Sequence, residues 1–302
     1  MSLPRSFRPK PRTFLAHQAV RLAQRWMDRT LLAIDYPPRE TGPRYGYGRP
    51  SHARLLEILS GAEEEYARNL EMIAGYSEDL ARVPAGPAPT GLAWNNVWLP
   101  PLDAAALYGF MRDRAPRNYV EVGSGVSTLF ARRAIDDGGL PTRITSVDPH
   151  PRSEVDAVCD EVVREPLETI DHELFGALRE GDMLLMDGSH RVLTNSDATV
   201  FFLDVLPSLA AGVLVCVHDI LLPDDYPAQW AGWHWSEQYL MAAYLLAGGD
   251  QIRLELAARY VHAHSDLHRI LDPLWLTPQL SGVHRTGVGL WFTTTNRRPG
   301  SR

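Results

Sequence analysis

The stretch Tyr119–Thr128, reading Tyr-Val-Glu-Val-Gly-Ser-Gly-Val-Ser-Thr, constrains the fold of this chain more than any other. A short apolar run closing on an acid, two glycines one residue apart and a helix-compatible continuation predict a strand, a tight turn and a helix start. In an open α/β sheet such a junction lies at the carboxyl edge of the strands, where small cofactors bind.

Downstream the pattern alternates. Strands are expected at Tyr119–Val122, Ile144–Val147, Val162–Val163, Met183–Met186, Val213–Val217, Ile252–Leu256 and Gly287–Thr295. Helical segments are expected at Val126–Asp136, around Val155–Cys159, at Ala198–Leu206 and at Trp235–Leu246. Strands and helices at this spacing predict an α/β fold, a doubly wound and mainly parallel sheet. Four strands close on or beside a carboxylate, at Glu121, Asp148, Asp187 and Asp219. All four fall on one sheet edge, so they predict a site there.

The first hundred residues differ in character. Phe14–Ile34 carries apolar residues at helical spacing beside a row of Arg21, Arg25 and Arg29, an amphipathic helix. Prolines and glycines then interrupt Asp35–Pro50, and Ser51 is positioned to cap a second helix through Leu55, Leu59, Tyr66, Leu70 and Ile73. The division expected is an N-terminal helical extension and linker over 1–100 and the sheet domain over 101–302. Trp94–Pro101, dense in aromatics and amides, would either roof a pocket or pack the extension on the sheet.

A net charge of −7 and a pI near 5.9 argue against a protein built to hold nucleic acid through its phosphates. Two cysteines, Cys159 and Cys216, provide no disulfide framework, and the longest apolar run, Leu209–Val217, is too short to span a bilayer. The first thirty residues hold seven basic side chains and one acid without a secretory apolar core. A cytoplasmic protein is expected, and the amphipathic N-terminal helices favour a homo-oligomer.

The glycine turn admits two cofactor classes. A dinucleotide fingerprint has glycine or alanine where this chain has Thr128, and Glu121 beside the turn disfavours a pyrophosphate. The same carboxylate suits a sulfonium or an ammonium, and S-adenosylmethionine carries both and no phosphate. Asp148, at the end of the next strand, is placed to accept from two ribose hydroxyls of either cofactor. A nicotinamide-dependent oxidoreductase is thus the rival enzyme, and a methyltransferase-like fold kept as a binding or assembly module the rival of another kind.

Val-Glu-Val-Gly-Ser-Gly-Val-Ser-Thr, then Ser-Val-Asp-Pro, Met-Asp-Gly-Ser-His and Val-His-Asp-Ile resemble the class I S-adenosylmethionine-dependent methyltransferases over about Asn118–Thr295. More narrowly they resemble the branch of macrocin O-methyltransferase and cephalosporin hydroxylase-like proteins. The resemblance implies a Rossmann-like, seven-stranded sheet with an antiparallel last pair. It implies that Glu121, Gly123, Ser124, Gly125, Ser127 and Thr128 surround the amino-acid end of the cofactor and Asp148 its ribose. Asp187 and Asp219 match the carboxylates that hold Mg²⁺ in metal-dependent members, and His190 matches a position that serves as general base. His218 departs from the pattern, since some relatives have an acid there. An imidazole suits Mn, Fe or Zn better than Mg, so His218 is a third ligand or an orienting residue.

Methyl transfer from a sulfonium needs an aligned acceptor and, for an alcohol, a way to take its proton. A small-molecule or glycan hydroxyl is therefore the expected acceptor, enclosed by a lid from Tyr226, Trp230, Trp233, His234, Trp235, Glu237 and Tyr239.

Overall fold

The computed structural model describes residues 39, 42–88, 91–151 and 154–296. The amphipathic helix expected over Phe14–Ile34 lies outside the described residues. The described residues from Pro43 onward form one compact unit.

Its centre is a seven-stranded sheet in the order β3-β2-β1-β4-β5-β7-β6. The strands are β1 (Asn118–Val122), β2 (Arg143–Val147), β3 (Glu161–Val163), β4 (Met183–Met186), β5 (Leu214–Val217), β6 (Ile252–Ala257) and β7 (Leu290–Thr294). The first five pair in parallel; β7 inserts antiparallel between β5 and β6. This is the doubly wound, Rossmann-like sheet that the alternation predicts, with its last pair antiparallel. Strands β4 and β5 are buried on both faces, which is why Met-Leu-Leu-Met and Leu-Val-Cys-Val are continuous apolar runs rather than alternating ones. Cys216 is there the buried small hydrophobe expected of it.

The order reverses between β1 and β4, since β1 pairs with β2 on one side and β4 on the other. A crevice therefore opens at the carboxyl ends of these strands. Around the sheet lie α1 (Ala53–Ser60), α2 (Glu63–Ala74), α3 (Ser77–Leu80), α4 (Pro101–Arg114), α5 (Val126–Gly138), α6 (Asp197–Val200) and α7 (Glu237–Leu246). Eleven consecutive residues of α4, Pro101–Met111, are buried, so it is a core helix rather than an amphipathic one.

Local expectations need three corrections. The single helix through Leu55–Ile73 is broken at Gly61 into α1 and α2. Its cap is His52, whose Nδ1 accepts from the Leu55 amide, while the Ser51 hydroxyl instead donates to Asp224 at 2.6 Å. Around Val155–Cys159 there is only a 3-10 turn at Asp156–Val158. The helix after β4 widens into a π-turn at Phe201–Val205, ahead of Pro207, which has no amide to donate.

The proline- and glycine-rich segment before α1 forms turns, as expected, and it is clamped. Arg44 bonds Asp225, the Asp225 amide donates to the Tyr45 carbonyl, and Arg259 grips Asp224 from the other side at 2.7 Å. Two buried aspartates thus hold the segment after β5 that leads to Trp230–Trp235. Among the described residues no helix is long and apolar enough to cross a membrane.

Candidate active site

The glycine turn is built by backbone geometry. Gly123 has φ +82°, and a Cβ there would lie 1.9 Å from the Asp187 carbonyl oxygen. Only glycine lets β1 and β4 close at the switch point. Each of the next amides then has a partner: Gly123 donates to the Val147 carbonyl at 3.0 Å, Ser124 to Asp148 Oδ2 at 2.7 Å and Gly125 to Thr128 Oγ1 at 3.0 Å. The other Asp148 oxygen accepts from the His150 amide at 2.8 Å. Thr128 closes the box, donating its own hydroxyl to Glu121 Oε2 at 2.5 Å.

Two of the expected cofactor-binding residues, Glu121 and Thr128, stand apart from the rest. Both are fully buried beneath the turn, and neither lines the cavity above it. Glu121 is occupied by Tyr119 Oη at 3.0 Å and by Thr128, so its carboxylate braces the turn from inside. Burial pushes its pKa up to about 7, against the opposing hydroxyl donors of Ser127, Thr128 and Tyr119. The other expected residues, Gly123, Ser124, Gly125, Ser127 and Asp148, do line a cavity of about 450 Å³.

A second cavity of about 690 Å³ adjoins the first, and both are bordered by Trp98, Asp187, Gly188 and Ser189. Its floor holds Asp187, His190 and Asp219; its walls are indoles, Trp98, Trp230, Trp233 and Trp235. Trp230 and Trp233 stack at 5.2 Å between centroids. Of the expected lid residues, Tyr226, His234, Glu237 and Tyr239 do not line it. Trp94–Pro101 takes both proposed roles: Trp94 packs on Phe130 and Trp275, while Val97 and Trp98 face the cavity. Asn96 makes this possible, accepting from the Trp98 and Leu99 amides and donating to the Ala93 and Leu99 carbonyls.

The floor is a network of charges. His190 Nε2 lies 3.2 Å from Asp187 Oδ1 and 3.3 Å from Asp219 Oδ2, and its Nδ1 is 2.9 Å from Glu237 Oε2. His218 Nδ1 faces the same two oxygens at 3.5 and 3.6 Å, and its Nε2 is 3.3 Å from Asp103 Oδ2. Both ring nitrogens of His218 are buried, yet neither has a partner in hydrogen-bond geometry. His190 and Asp219 both hold left-handed backbone, φ +59° and +55°. Such non-glycine conformations cost on the order of 1–3 kcal/mol each and persist where the surroundings impose them.

Burial opposes charge on His190, but Asp187 and Glu237 outweigh it and raise its pKa to about 10. Burial likewise opposes charge on His218, and Asp187 and Asp219 outweigh it, so its pKa is also raised. Asp187 in turn is held well below the usual carboxylate range: burial disfavours its charge, but the charge of His218 and the contact with His190 prevail. The Asp187, His218 and Asp219 ligand atoms lie within 4.8 Å of one another, the spread of a cation site.

One member of this network, Asp103, escapes sequence reasoning, and another, Glu237, is expected only in the lid. Asp103 of α4 accepts from the Val288 and Gly289 amides at 2.8 and 2.9 Å and thereby stands behind His218. Glu237 of α7 stands behind His190. Each is an acid in the first turn of its helix, a position with its own local explanation.

Residues 120–220 match the model of a family described as a methyltransferase domain. That segment runs from β1 past β5 and contains the glycine turn, Asp148, Asp187, His190, His218 and Asp219. No curated protein matches the chain. Among solved structures, it is similar to the SAH-bound methyltransferase of Podospora anserina at 14% identity, over 74% of this chain and 94% of that one, with a TM-score of 0.37.

Proposed function

We propose that this protein transfers the methyl group of S-adenosylmethionine to a hydroxyl of a small molecule or glycan. The observation that carries the reading is the state of the turn amides. Gly123, Ser124 and Gly125 all donate within the protein, so these three offer nothing to a pyrophosphate, the group a dinucleotide site must hold. A phosphate-free cofactor has no such need. Asp148 keeps unused lone pairs on both oxygens beside the cavity, the acceptors that ribose hydroxyls require. The match of residues 120–220 to a methyltransferase family supports the same choice.

The sulfonium methyl is already activated, so the chain's tasks are to align, to exclude water and to manage one proton. The C–O bond forms as the S–C bond breaks, S-adenosylhomocysteine leaves, and the hydroxyl proton departs. Asp187, His190, Asp219 and His284 face the acceptor cavity and can take it. His190, the expected base, lies between Asp187 and Asp219 at 3.2 and 3.3 Å, and its pKa, raised to about 10 by Asp187 and Glu237, is nearer that of an acceptor hydroxyl than a carboxylate's is.

The residues also fit a divalent metal. Two carboxylate oxygens and a buried, unpartnered imidazole converge, a donor set better suited to Mn, Fe or Zn than to Mg. Asp187, Asp219 and His218 would hold it, and when bound it would lower the pKa of an acceptor hydroxyl. Incubation with methyl-labelled S-adenosylmethionine and a panel of phenols, alcohols and glycosides tests the activity. Label in an ether product supports it; label in none, with the cofactor bound, contradicts it.

A further inference from the structure

We infer that Glu237 is a positioning residue for methyl transfer, acting through His190; the inference rests on the function proposed above. Glu237 is fully buried and lines neither cavity, so it does not reach a substrate. A buried carboxylate is costly unless its partner repays the desolvation. Among the described residues its carboxylate has one hydrogen-bond partner, His190 Nδ1, from which Oε2 accepts at 2.9 Å, while Oε1 has none. An apolar side chain would pack the start of α7 without that cost, so the carboxylate belongs to His190.

The start of α7 is joined to His190 twice more through the main chain. The amides of Ser236 and Glu237 donate to the His190 carbonyl at 2.8 and 3.2 Å, which fixes the left-handed backbone of His190 against the first turn of α7. Trp235 covers the ring at 4.3 Å between centroids. With its backbone fixed, the imidazole keeps rotations about the Cα–Cβ and Cβ–Cγ bonds; the Trp235 ring restricts them and the Nδ1–H bond to Glu237 selects one orientation. Nε2 then points between Asp187 Oδ1 and Asp219 Oδ2, toward the acceptor cavity. This is the arrangement by which a buried carboxylate sets the direction of a working histidine.

The test compares Glu237→Gln, whose amide oxygen still accepts from Nδ1–H, with Glu237→Leu, which cannot. In full-length protein labelled with ¹⁵N-histidine and saturated with S-adenosylhomocysteine, the His190 ring signals are assigned by their loss in His190→Gln. Wild type should show a slowly exchanging, downfield Nδ1 proton; Glu237→Gln should keep it at a shifted position and Glu237→Leu should lose it. Affinity for S-adenosylhomocysteine should stay within about threefold in both, since Glu237 lies outside that cavity. With the acceptor returned by the label screen, kcat should fall about tenfold in Glu237→Gln and further in Glu237→Leu, with the acceptor KM unchanged. If Glu237→Leu is too unstable to measure, the Glu237→Gln shift and kcat decide alone. Unaltered His190 signals, or full kcat in either variant, overturn the inference. Failure of wild type to methylate anything overturns the proposed function instead, and the Nδ1 proton still reports whether Glu237 holds the ring.

Discussion

The two halves of the crevice are built on opposite principles. At the glycine turn, three successive amides donate to the Val147 carbonyl, Asp148 and Thr128, Thr128 donates to an internal glutamate, and the special requirement falls on Gly123. At the adjoining floor, two residues hold left-handed backbone, two buried histidines press against two aspartates, and both nitrogens of His218 lack a hydrogen-bond partner. A surface that only has to hold a ligand can be fully satisfied in its absence. One that has to handle a proton or a cation keeps unsatisfied and strained groups in reserve.

If the halves are separable, variants should damage one function and spare the other. The largest effect is expected from Gly123→Ala, which forces β1 and β4 apart at a 1.9 Å contact. Calorimetry should show the affinity for S-adenosylhomocysteine reduced more than a hundredfold, with a lower melting temperature. Next comes the floor. Asp219→Asn and His218→Gln should each lower methyl transfer by roughly a hundredfold, about 2.7 kcal/mol of barrier, with cofactor affinity within threefold of wild type, since neither residue lines the first cavity. An equal loss of cofactor affinity would mean that the two halves are one site.

Asp148→Ala should weaken S-adenosylhomocysteine about 10- to 100-fold. It removes charge-assisted acceptors worth roughly 1.5–3 kcal/mol and frees the Ser124 and His150 amides. A titration in which affinity is unchanged would move the ribose elsewhere.

How much of this the sequence disclosed follows the same division. The glycine turn and its acidic neighbours are local in sequence, and Gly123, Asp148, Asp187, His190 and Asp219 stand where strand ends put them. The sheet was legible for the same reason, because buried parallel strands are short apolar runs bounded by turns. Glu121 stands at the strand end as expected, and alternation along β1 turns its side chain inward, onto Thr128. Asp103 was invisible as a site residue, and Glu237 was expected in the lid rather than behind His190, because each has a sufficient local role at a helix start. Their partners lie 115 and 47 residues away, at His218 and His190. Sequence periodicity carries no signal for such contacts.

The inward turn of Glu121 gives a smaller, pH-dependent effect. The folded protein raises its pKa from 4.5 to about 7, so it binds more protons than the unfolded chain across that interval. Stability contributed by the protonated form is complete below pH 4.5 and is lost as pH rises through 7, by roughly 3 kcal/mol at the upper bound. Glu121→Gln should flatten the urea midpoint between pH 5 and 8 and leave S-adenosylhomocysteine affinity within threefold. An unchanged slope would show that Glu121 is ionised in the fold throughout. The smallest effect should come from Trp233→Ala at the half-exposed rim of the second cavity, a severalfold rise in acceptor KM with no change in the cofactor titration.

The separation of the two halves rests on the first one being a phosphate-free cofactor site. Parallel calorimetric titrations of the full-length protein with S-adenosylhomocysteine and with NAD⁺ measure that directly. Micromolar binding of S-adenosylhomocysteine, weakened by Asp148→Ala, with no heat from NAD⁺, is the result predicted here. Binding of NAD⁺ with none of S-adenosylhomocysteine at millimolar concentration would contradict it.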